Sequence, residues 1–570
     1  MGKTTIIGGK YIENVKGDKK IYAGGNISFD SGKKLVQHGE EEGIVYGEPK
    51  TLHKHNTSNP QLKVKLNIFF DGTLNNKNNT QVRKDSENNT AQKNIFDKKS
   101  NKKDDSYMND FSNVARGYDA INPEAEHQLK VYIEGIGTEN NKKDDSYEGP
   151  GFGVGDKGIM AKVTKGCQKA AKVVASKYKG KNIDILEVNV FGFSRGAAAA
   201  RHFISVATTS IYEDVPILIN GKIIVYYRAY DGGRSLFSIN ETPDNISFIT
   251  QYGYFGACLI KENLQIKKIQ FNFAGLYDTV ASYRYNHRGN YLKGSDAEEL
   301  NLDAVKKCKF TLQLASRDEY RENFSLTNIN SCGLNGLQLT LPGVHSDVGG
   351  GYVDGAEEEV FLLKDYDDYH KEAEKLVSIL IWEGWFYEKN QLYLLNKNKK
   401  EVISYSITKE SGFNMYRALL INNSLSAPFY LRGRRKLSNQ YANIPLKIMI
   451  DFSKERGVEY SEKALKEIGN ISNQEEIKKA YTQLLSYVER CKEIREKYIK
   501  RYNQGERGFY KEYVNKIDSV NYIDYIDYEL LRTLRGKHFH WSADVTSIAM
   551  VPEVTSVQPY DNRKRYIIDG

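Results

Sequence analysis

The sequence contains few cysteines, and none of them are spaced for a disulfide framework or a zinc site. Five cysteines are scattered over 570 residues, and no two of them form a CxxC pair. Disulfide-rich domains and structural zinc sites both need closely spaced cysteines. We therefore expect reduced thiols in a protein that does not depend on disulfides.

The sequence also lacks a long apolar run and a signal-peptide pattern. Its first residues, Met1 to Ile6, contain no apolar core, and Ile6 stands where a myristoylation signal has Ser or Thr. The most apolar stretch, 376–386, contains Glu383 and is too short to span a bilayer. We therefore expect a protein made in the cytoplasm without a signal peptide.

Charge of neither sign dominates the chain. The formal charge of +9 comes from 82 basic and 73 acidic side chains, which are mixed along the sequence. The basic residues form no stripe interleaved with aromatic residues, as nucleic-acid binding would favour. We predict no nucleic-acid partner and no cofactor.

The length and the periodicity of the chain predict several structural units. A chain of 570 residues exceeds what one compact core usually holds. Residues 1–50 form short β-like segments separated by glycines, and a polar linker follows. Over 62–352, apolar strands alternate with helices, which predicts an α/β fold with a mostly parallel sheet and helices on both faces. The five predicted strands cover 64–70, 129–133, 183–190, 269–276 and 337–341.

The remaining residues after 352 are predicted to form further units that are built on this α/β core. Residues 353–536 are predicted as a helical lid or membrane-facing region, and 537–570 as a β-like tail that packs on the core. The apolar and aromatic residues of 379–382 and 385–387 would form a surface that contacts a membrane, or else the core of a helical subdomain. The insertion 212–268 has no role that its sequence indicates.

A serine stands in a turn between a strand and a helix. The strand 183–190 leads into Gly192-Phe193-Ser194-Arg195-Gly196, and an alanine-rich helix follows. This order is typical of a nucleophile elbow, in which glycines two residues on either side of the serine let strand and helix backbones approach. Ser194 is therefore the candidate nucleophile. The alternative is an ordinary polar residue at a glycine-lined helix cap.

A serine hydroxyl needs a base and an acid, which in this fold follow the serine in chain order. Asp278 and His345 each come just after a predicted strand, so both are expected at the carboxyl edge of the sheet. Asp278 has the alternative role of a helix cap, and His345 that of a loop residue bonded to backbone. His540, near the end of the chain, is the alternative base.

Glycine after the first predicted strand indicates where an oxyanion could bind. We expect an oxyanion hole from the backbone N–H of Arg195 and one N–H near Gly72. Asp71 and Asp347 stand beside glycine loops and are alternative ligands for a hard metal ion, although we predict no metal.

Several motifs together resemble a known family. The chain is similar, over 64–352, to the catalytic domain of type VI secretion phospholipase effectors, family one of the antibacterial lipase toxins. The residues that carry the resemblance are Phe70-Asp71-Gly72-Thr73, Tyr132-Ile133-Glu134-Gly135-Ile136-Gly137-Thr138, Gly192 to Gly196, Tyr277-Asp278-Thr279-Val280 and Pro342 to Tyr352.

The resemblance implies an α/β-hydrolase fold, hydrolysis of phospholipid acyl esters, and a triad of Ser194, Asp278 and His345. It implies secretion into a target cell and an immunity protein as a partner. Residues 1–50 are not part of the shared domain, and their β-rich pattern, which is similar to the ends of secretion-spike proteins, predicts either docking to a spike protein or a stabilising extension. The insertion between Ser194 and Asp278 departs from the family pattern. Two other functions stay open, an esterase or thioesterase for small soluble acyl substrates and a non-catalytic binding module.

Overall fold

The structure is a computed structural model that describes residues 61–570 with interruptions. The undescribed internal positions are 104, 146–152, 211–214, 220–221, 229–235, 238–241, 283–295, 367–370, 388–390, 397–400, 407–413, 418–428, 470–472, 548–549, 553–562 and 564. The chain divides into two units, Met1–Pro60 and Gln61–Gly570. The β segments and the spike docking expected for 1–50 lie outside the described residues.

The described strands form one parallel sheet and several smaller antiparallel or paired groups. In chain order they are β1 Lys63–Phe70, β2 Gln128–Ile133, β3 Asn182–Phe193, β4 Val215–Ile219, β5 Lys222–Arg228, β6 Leu236–Phe237, β7 Gln265–Tyr277, β8 Phe310–Ser316, β9 Leu326–Thr327, β10 Gly336–Leu341, β11 Glu357–Asp365, β12 Leu392–Leu395, β13 Glu401–Ser406, β14 Asn414–Arg417, β15 Phe429–Lys436 and β16 Ile567–Ile568. The central sheet has six strands in the order β10-β8-β7-β3-β1-β2, and every pair is parallel.

The described α-helices lie between these strands and after them. They are α1 Lys77–Asp85, α2 Thr90–Lys99, α3 Asn113–Ala120, α4 Ile159–Tyr178, α5 Arg195–Val206, α6 Pro243–Lys261, α7 Asp296–Glu299, α8 His345–Gly349, α9 Lys371–Glu383, α10 Asn443–Glu455, α11 Glu462–Gly469, α12 Glu475–Asn503, α13 Tyr510–Asp518 and α14 Tyr528–Lys537. Among the described helices, none is long and apolar enough to cross a membrane.

Helices cover both faces of the central sheet, so its strands are apolar on both sides. Successive side chains of a strand point to opposite faces. In β1, Ile68 and Phe70 belong to the core under α4, α5 and α6, whereas Phe69 belongs to the core under α3 and α10. This arrangement confirms the predicted α/β-hydrolase-like class of a mostly parallel sheet with helices on both faces.

Residues 353–536 differ from the helical lid that the sequence predicted. Their first part forms a five-stranded antiparallel sheet in the order β11-β15-β12-β13-β14. Helix α10 packs on a face of the central sheet. Its Phe452 ring stacks on the Phe310 ring of β8, with centroids 6.0 Å apart. Sequence periodicity shows that a helix has an apolar face but does not show which surface that face covers.

The insertion 212–268 contains a small sheet and one of the covering helices. Strands β4, β5 and β6 form a three-stranded sheet, and α6 then joins the core with α4 and α5. In the tail 537–570, the strand β16 pairs in parallel with β9. This pairing places the end of the described chain near the strands that carry the candidate site.

Candidate active site

Ser194 occupies a strained turn between β3 and α5. Its backbone angles are φ 58° and ψ −130°, a region that residues other than glycine seldom adopt. Such strain persists only where the surrounding structure holds it, and it is concentrated at functional sites. The Ser194 N–H donates to the carbonyl oxygen of Tyr277 at 3.0 Å, which ties the turn to the end of β7.

The two glycines of the turn are required by close backbone contacts. A Cβ at Gly192 would lie 2.5 Å from the Cα of Ala197, inside the first turn of α5. A Cβ at Gly196 would overlap the carbonyl oxygens of Phe70 and Asp71 at the end of β1. The turn therefore brings strand and helix together as a nucleophile elbow requires.

Asp278 follows β7, the neighbour of β3, and its carboxylate is fully buried. The end residues Phe193 and Tyr277 pair across the two strands, so Ser194 and Asp278 leave the sheet at matching positions. Ser316, at the end of β8, donates to Asp278 through its N–H at 2.8 Å and its hydroxyl at 2.9 Å. These bonds fix the carboxylate at the carboxyl edge of the sheet.

His345 begins α8, just after the edge strand β10, and reaches the same carboxylate. Its Nδ1 lies 2.5 Å from Asp278 Oδ2. Its ring packs on the Phe193 ring next to Ser194, with centroids 4.6 Å apart. His345 Nε2 is buried and has no hydrogen-bond partner within the described part of the chain, so it is not bonded to the Ser194 hydroxyl.

Burial and charge give the two groups the protonation states that a base and its acid need. Burial alone would raise the pKa of Asp278, but the Arg565 guanidinium and His345 outweigh it and hold that pKa far below the usual range. Burial lowers the pKa of His345 below its ordinary 6.5, although Asp278 opposes the shift. A neutral imidazole beside an ionised carboxylate is the state in which His345 can accept a proton.

His540, the alternative base, is bonded elsewhere. Its Nδ1 lies 2.7 Å from Asp347 Oδ1, and its backbone N–H donates to Asp347 Oδ2 at 3.1 Å. Its ring stacks on Tyr352 with centroids 3.5 Å apart. Across the described residues, His540 makes no hydrogen bond, ion pair or ring contact with Ser194 or Asp278. Because Asp347 belongs to α8, His540 supports the helix that carries His345.

The groups expected to form an oxyanion hole lie at the start of α5 and just after β1. Arg195 is the first residue of α5, so its backbone N–H stands at the N-terminal end of that helix. The Gly72 N–H, however, donates to Asp71 Oδ1 at 2.8 Å. The next residue, Thr73, has a buried hydroxyl without a partner in the described region. A Cβ at Gly72 would lie 2.5 Å from the Phe193 ring, so this loop does adjoin the elbow.

The carboxylates considered as metal ligands are already occupied by hydrogen-bond donors. Asp71 accepts hydroxyl bonds of 2.6 Å each from Ser112 and Tyr132, and burial raises its pKa to about 6. Asp347 accepts from the Val344 N–H at 2.9 Å as well as from His540. In the part of the chain that is described, no three His, Cys, Asp or Glu side chains group as metal ligands.

Several residues at the site had no local signal in the sequence. Glu319 accepts the His345 N–H at 3.4 Å and forms a buried ion pair of 2.8 Å with Arg321. Burial would raise the pKa of Glu319, but Arg321 lowers it to about 2, so the pair stays charged under the His345 loop. Arg565, from the tail, contacts Asp278. Each contact joins residues from separate loops, which no short motif encodes.

Solved structures similar to this chain include an effector and an uncharacterized protein. The Tle1 effector bound to the VgrG spike of the type 6 secretion system shares 18% identity with this chain at a TM-score of 0.49, and the similarity covers 91% of this chain and 98% of that chain. An uncharacterized protein from Pseudomonas aeruginosa shares 19% identity at a TM-score of 0.27, over 51% of this chain and 42% of that chain. No curated protein matches the chain.

A family profile gives a more specific result, since it matches more than half of the chain. The profile is described as the catalytic domain of Tle1-like type VI secretion phospholipase effectors, and it matches residues 65–369. That range contains the elbow, Asp278 and His345. The chain therefore belongs to the family of Tle1-like type VI secretion phospholipase effectors.

Proposed function

We propose that this protein is a serine esterase that cleaves acyl ester bonds of phospholipids, as a phospholipase A does. Ser194 is the nucleophile, His345 the general base and Asp278 the acid that orients the base. One observation carries the proposal. Ser194 stands in a strained elbow at the sheet edge where a buried Asp278–His345 pair of 2.5 Å meets it, within a family of phospholipase effectors.

The chemistry follows from these positions. As Ser194 Oγ attacks the ester carbonyl carbon, its proton passes to His345 Nε2, and the imidazolium is stabilised by Asp278. When the tetrahedral intermediate collapses, His345 returns the proton to the leaving alkoxide and a lysophospholipid departs. Water then cleaves the acyl-enzyme by the same steps and releases a fatty acid. The mechanism requires Ser194 Oγ and His345 Nε2 to come within hydrogen-bond distance when substrate binds, since catalytic hydrogen bonds are often long or absent in empty sites.

Charge on the intermediate requires donors beside the elbow. We assign the backbone N–H of Arg195 and an N–H of the Gly72–Thr73 turn to this task, the second after a shift that releases Gly72 from Asp71 or through Thr73 itself. Removing one such donor typically costs about a hundredfold or more in kcat. Asp71 would then hold the turn in place through Ser112 and Tyr132 without taking part in the chemistry.

Products from mixed phospholipid vesicles, resolved by mass, test the proposal. We expect free fatty acids and lysophospholipids from the wild-type protein, and neither from Ser194→Ala, because acyl transfer to Ser194 breaks only the carboxylic ester. Phosphatidic acid or diacylglycerol as the main product would contradict the assignment. Hydrolysis of soluble acyl esters or thioesters with no attack on vesicles would favour the alternative of a small-substrate esterase.

An exposed aromatic surface suggests how the enzyme meets a bilayer. The Trp382 side chain at the end of α9 is 64% exposed, and its ring lies 5.9 Å from that of Tyr528, which is 44% exposed. Trp385 and Phe386, by contrast, are buried in the core. Next to Trp382, Glu383 pairs with Arg563, two residues before the Arg565 that contacts Asp278.

We expect Trp382→Ser to weaken hydrolysis of vesicles about tenfold while sparing a soluble short-chain ester. Burying a large apolar side chain in a membrane is worth about 1.5–3 kcal/mol, and each 1.4 kcal/mol changes binding about tenfold. Tyr502→Ser is the matched control, because Tyr502 is an exposed aromatic residue at the C-terminal end of α12, whereas that helix contacts Asp527, beside Tyr528, through Lys479 and Gln483 near its start. If both variants lose vesicle activity equally, or if Trp382→Ser loses both activities, the surface does not dock on membranes.

Membership of an effector family supports delivery of this enzyme by a type VI secretion apparatus into a target cell. Within that proposal, residues 1–50 dock the enzyme on a secretion spike protein, the phospholipid membrane of the target cell is its substrate, and an immunity protein protects the producing cell.

A further inference from the structure

The tail segment 565–568 is fixed against the candidate active site by backbone pairing. Strand β16 runs parallel to β9, with Ile567 opposite Leu326 and Ile568 opposite Thr327. The Leu326 N–H also donates to the carbonyl oxygen of Tyr566 at 2.9 Å. Arg565 therefore lies two residues before β16, which pairs with β9 in the segment that follows β8.

The Arg565 side chain is buried against the acid of the proposed triad. The side chain is 6% exposed, and its Nη1 lies 2.5 Å from Asp278 Oδ1. Asp278 Oδ1 therefore receives Arg565 and the Ser316 N–H, while Oδ2 receives His345 and the Ser316 hydroxyl. The carboxylate has all four donors it can readily accept, and only one of them is a permanent cation.

The same guanidinium also bonds to Phe324, whose ring packs against His345. Arg565 Nε donates to the carbonyl oxygen of Phe324 at 2.7 Å. The Phe324 ring lies edge-on to the His345 ring, with centroids 5.1 Å apart, and the Arg321 guanidinium covers the Phe324 ring at 3.4 Å. One arginine thus bonds to the acid and to the residue that packs on the base.

We propose that Arg565 is a positioning residue for ester hydrolysis, which holds Asp278 and Phe324 in the geometry that orients His345. The proposal rests on the proposed function, since it needs His345 as the base. Arg565 has a second effect through charge. The Arg565 cation offsets part of the negative charge of Asp278, and that negative charge stabilises protonated His345. Arg565 therefore favours the neutral imidazole.

The other charges around His345 set the direction of that effect. The charged groups that face His345 are Asp278, Glu319 and Arg321, with Arg565 behind Asp278. Without Arg565, two carboxylates would face His345 and one arginine would remain. The His345 pKa should then rise. Since the reaction needs neutral His345, activity is present above that pKa and is lost as the pH falls through it.

The test is the pH profile of kcat/KM for Arg565→Gln and Arg565→Lys, measured on the full-length protein with a soluble chromogenic ester. We expect Arg565→Gln to lose roughly tenfold or more at pH 8, because small misplacements of catalytic groups are costly. Its acid limb should move about 1 pH unit towards higher pH. Arg565→Lys, which keeps the charge, should keep the limb of the wild type.

The matched control is Arg563→Met. Arg563 is a buried arginine of the same tail, but its carboxylate partner is Glu383 instead of Asp278. Even if Arg563→Met lowers kcat/KM, the acid limb of its pH profile should stay at the pH of the wild type. An unshifted limb in a folded Arg565→Gln variant, or equal shifts in Arg565→Gln and Arg563→Met, would overturn the proposal.

A titration of the His345 imidazole by NMR separates this proposal from the proposed function. The resonance is identified by its absence in His345→Gln. If the wild type hydrolyses no ester, the proposed function fails, yet the titration still reports whether Arg565→Gln raises the His345 pKa. If the wild type is active and the titration midpoint is the same in both proteins, the role of Arg565 fails alone.

Discussion

Ser194→Ala is expected to yield a folded protein that hydrolyses esters roughly a thousandfold more slowly than the wild type, or worse. In the proposed mechanism the hydroxyl is the attacking group, and without it only binding and the proposed oxyanion donors remain. The fold should persist, because the close contacts of the elbow involve Gly192 and Gly196 and not the serine side chain. Initial rates on a short-chain ester, together with thermal unfolding, measure both parts of the result.

A second buried serine on the same helix provides the control. Ser205 lies on α5 and is buried, but it is one helix length from the elbow. Ser205→Ala should keep near-wild-type activity with a small loss of stability, typically about 1 kcal/mol. A folded Ser194→Ala protein with full activity would remove Ser194 from the mechanism, and with it the proposed triad.

His345→Gln is expected to lose activity about as severely as Ser194→Ala, whereas His540→Gln should lose much less. Residues that act as one unit give similar losses when any of them is removed. His540 acts only through Asp347, which lies two residues from His345 on α8. Replacing it should loosen that helix and lower kcat modestly, roughly tenfold. Parallel rates for the two variants on one soluble ester decide between the histidines.

The reverse pattern would reverse the assignment. If His540→Gln abolishes activity and His345→Gln retains it, the base is His540, and the stacked arrangement with Tyr352 must open during the reaction. The double variant adds a check. Its loss should equal that of His345→Gln alone if His540 has only a supporting role, since support for an absent base has no further effect.

The sequence predicted the parts of the molecule that depend on local pattern. Glycines around Ser194 and the preceding apolar strand predict an elbow because that turn has local steric requirements. Asp278 and His345 were expected to meet because each follows a strand of a parallel sheet, where carboxyl ends share one edge. The structure brings both to that edge, with Asp278 and His345 bonded to each other.

Features that depend on distant partners could not be predicted. Strand β8 was missed because Thr311 and Gln313 interrupt its apolar pattern. Both are buried, and the Gln313 amide donates to Thr327 and Gln338, which lie 14 and 25 residues further along the chain and outside the strand's own sequence. The contact of Arg565 with Asp278 joins residues 287 positions apart, and nothing in the local sequence of either residue indicates it.

The order in which the chain is synthesised affects when the proposed active site is completed. Ser194, Asp278 and His345 leave the ribosome before α10, which covers one face of the central sheet, and well before Arg565. A nascent chain that ends before α10 lacks the cover that α10 gives to one face of the central sheet. It also lacks the Arg565 donor to Asp278. In the proposed mechanism, the acid of the triad therefore gains its Arg565 contact only after the tail has been synthesised.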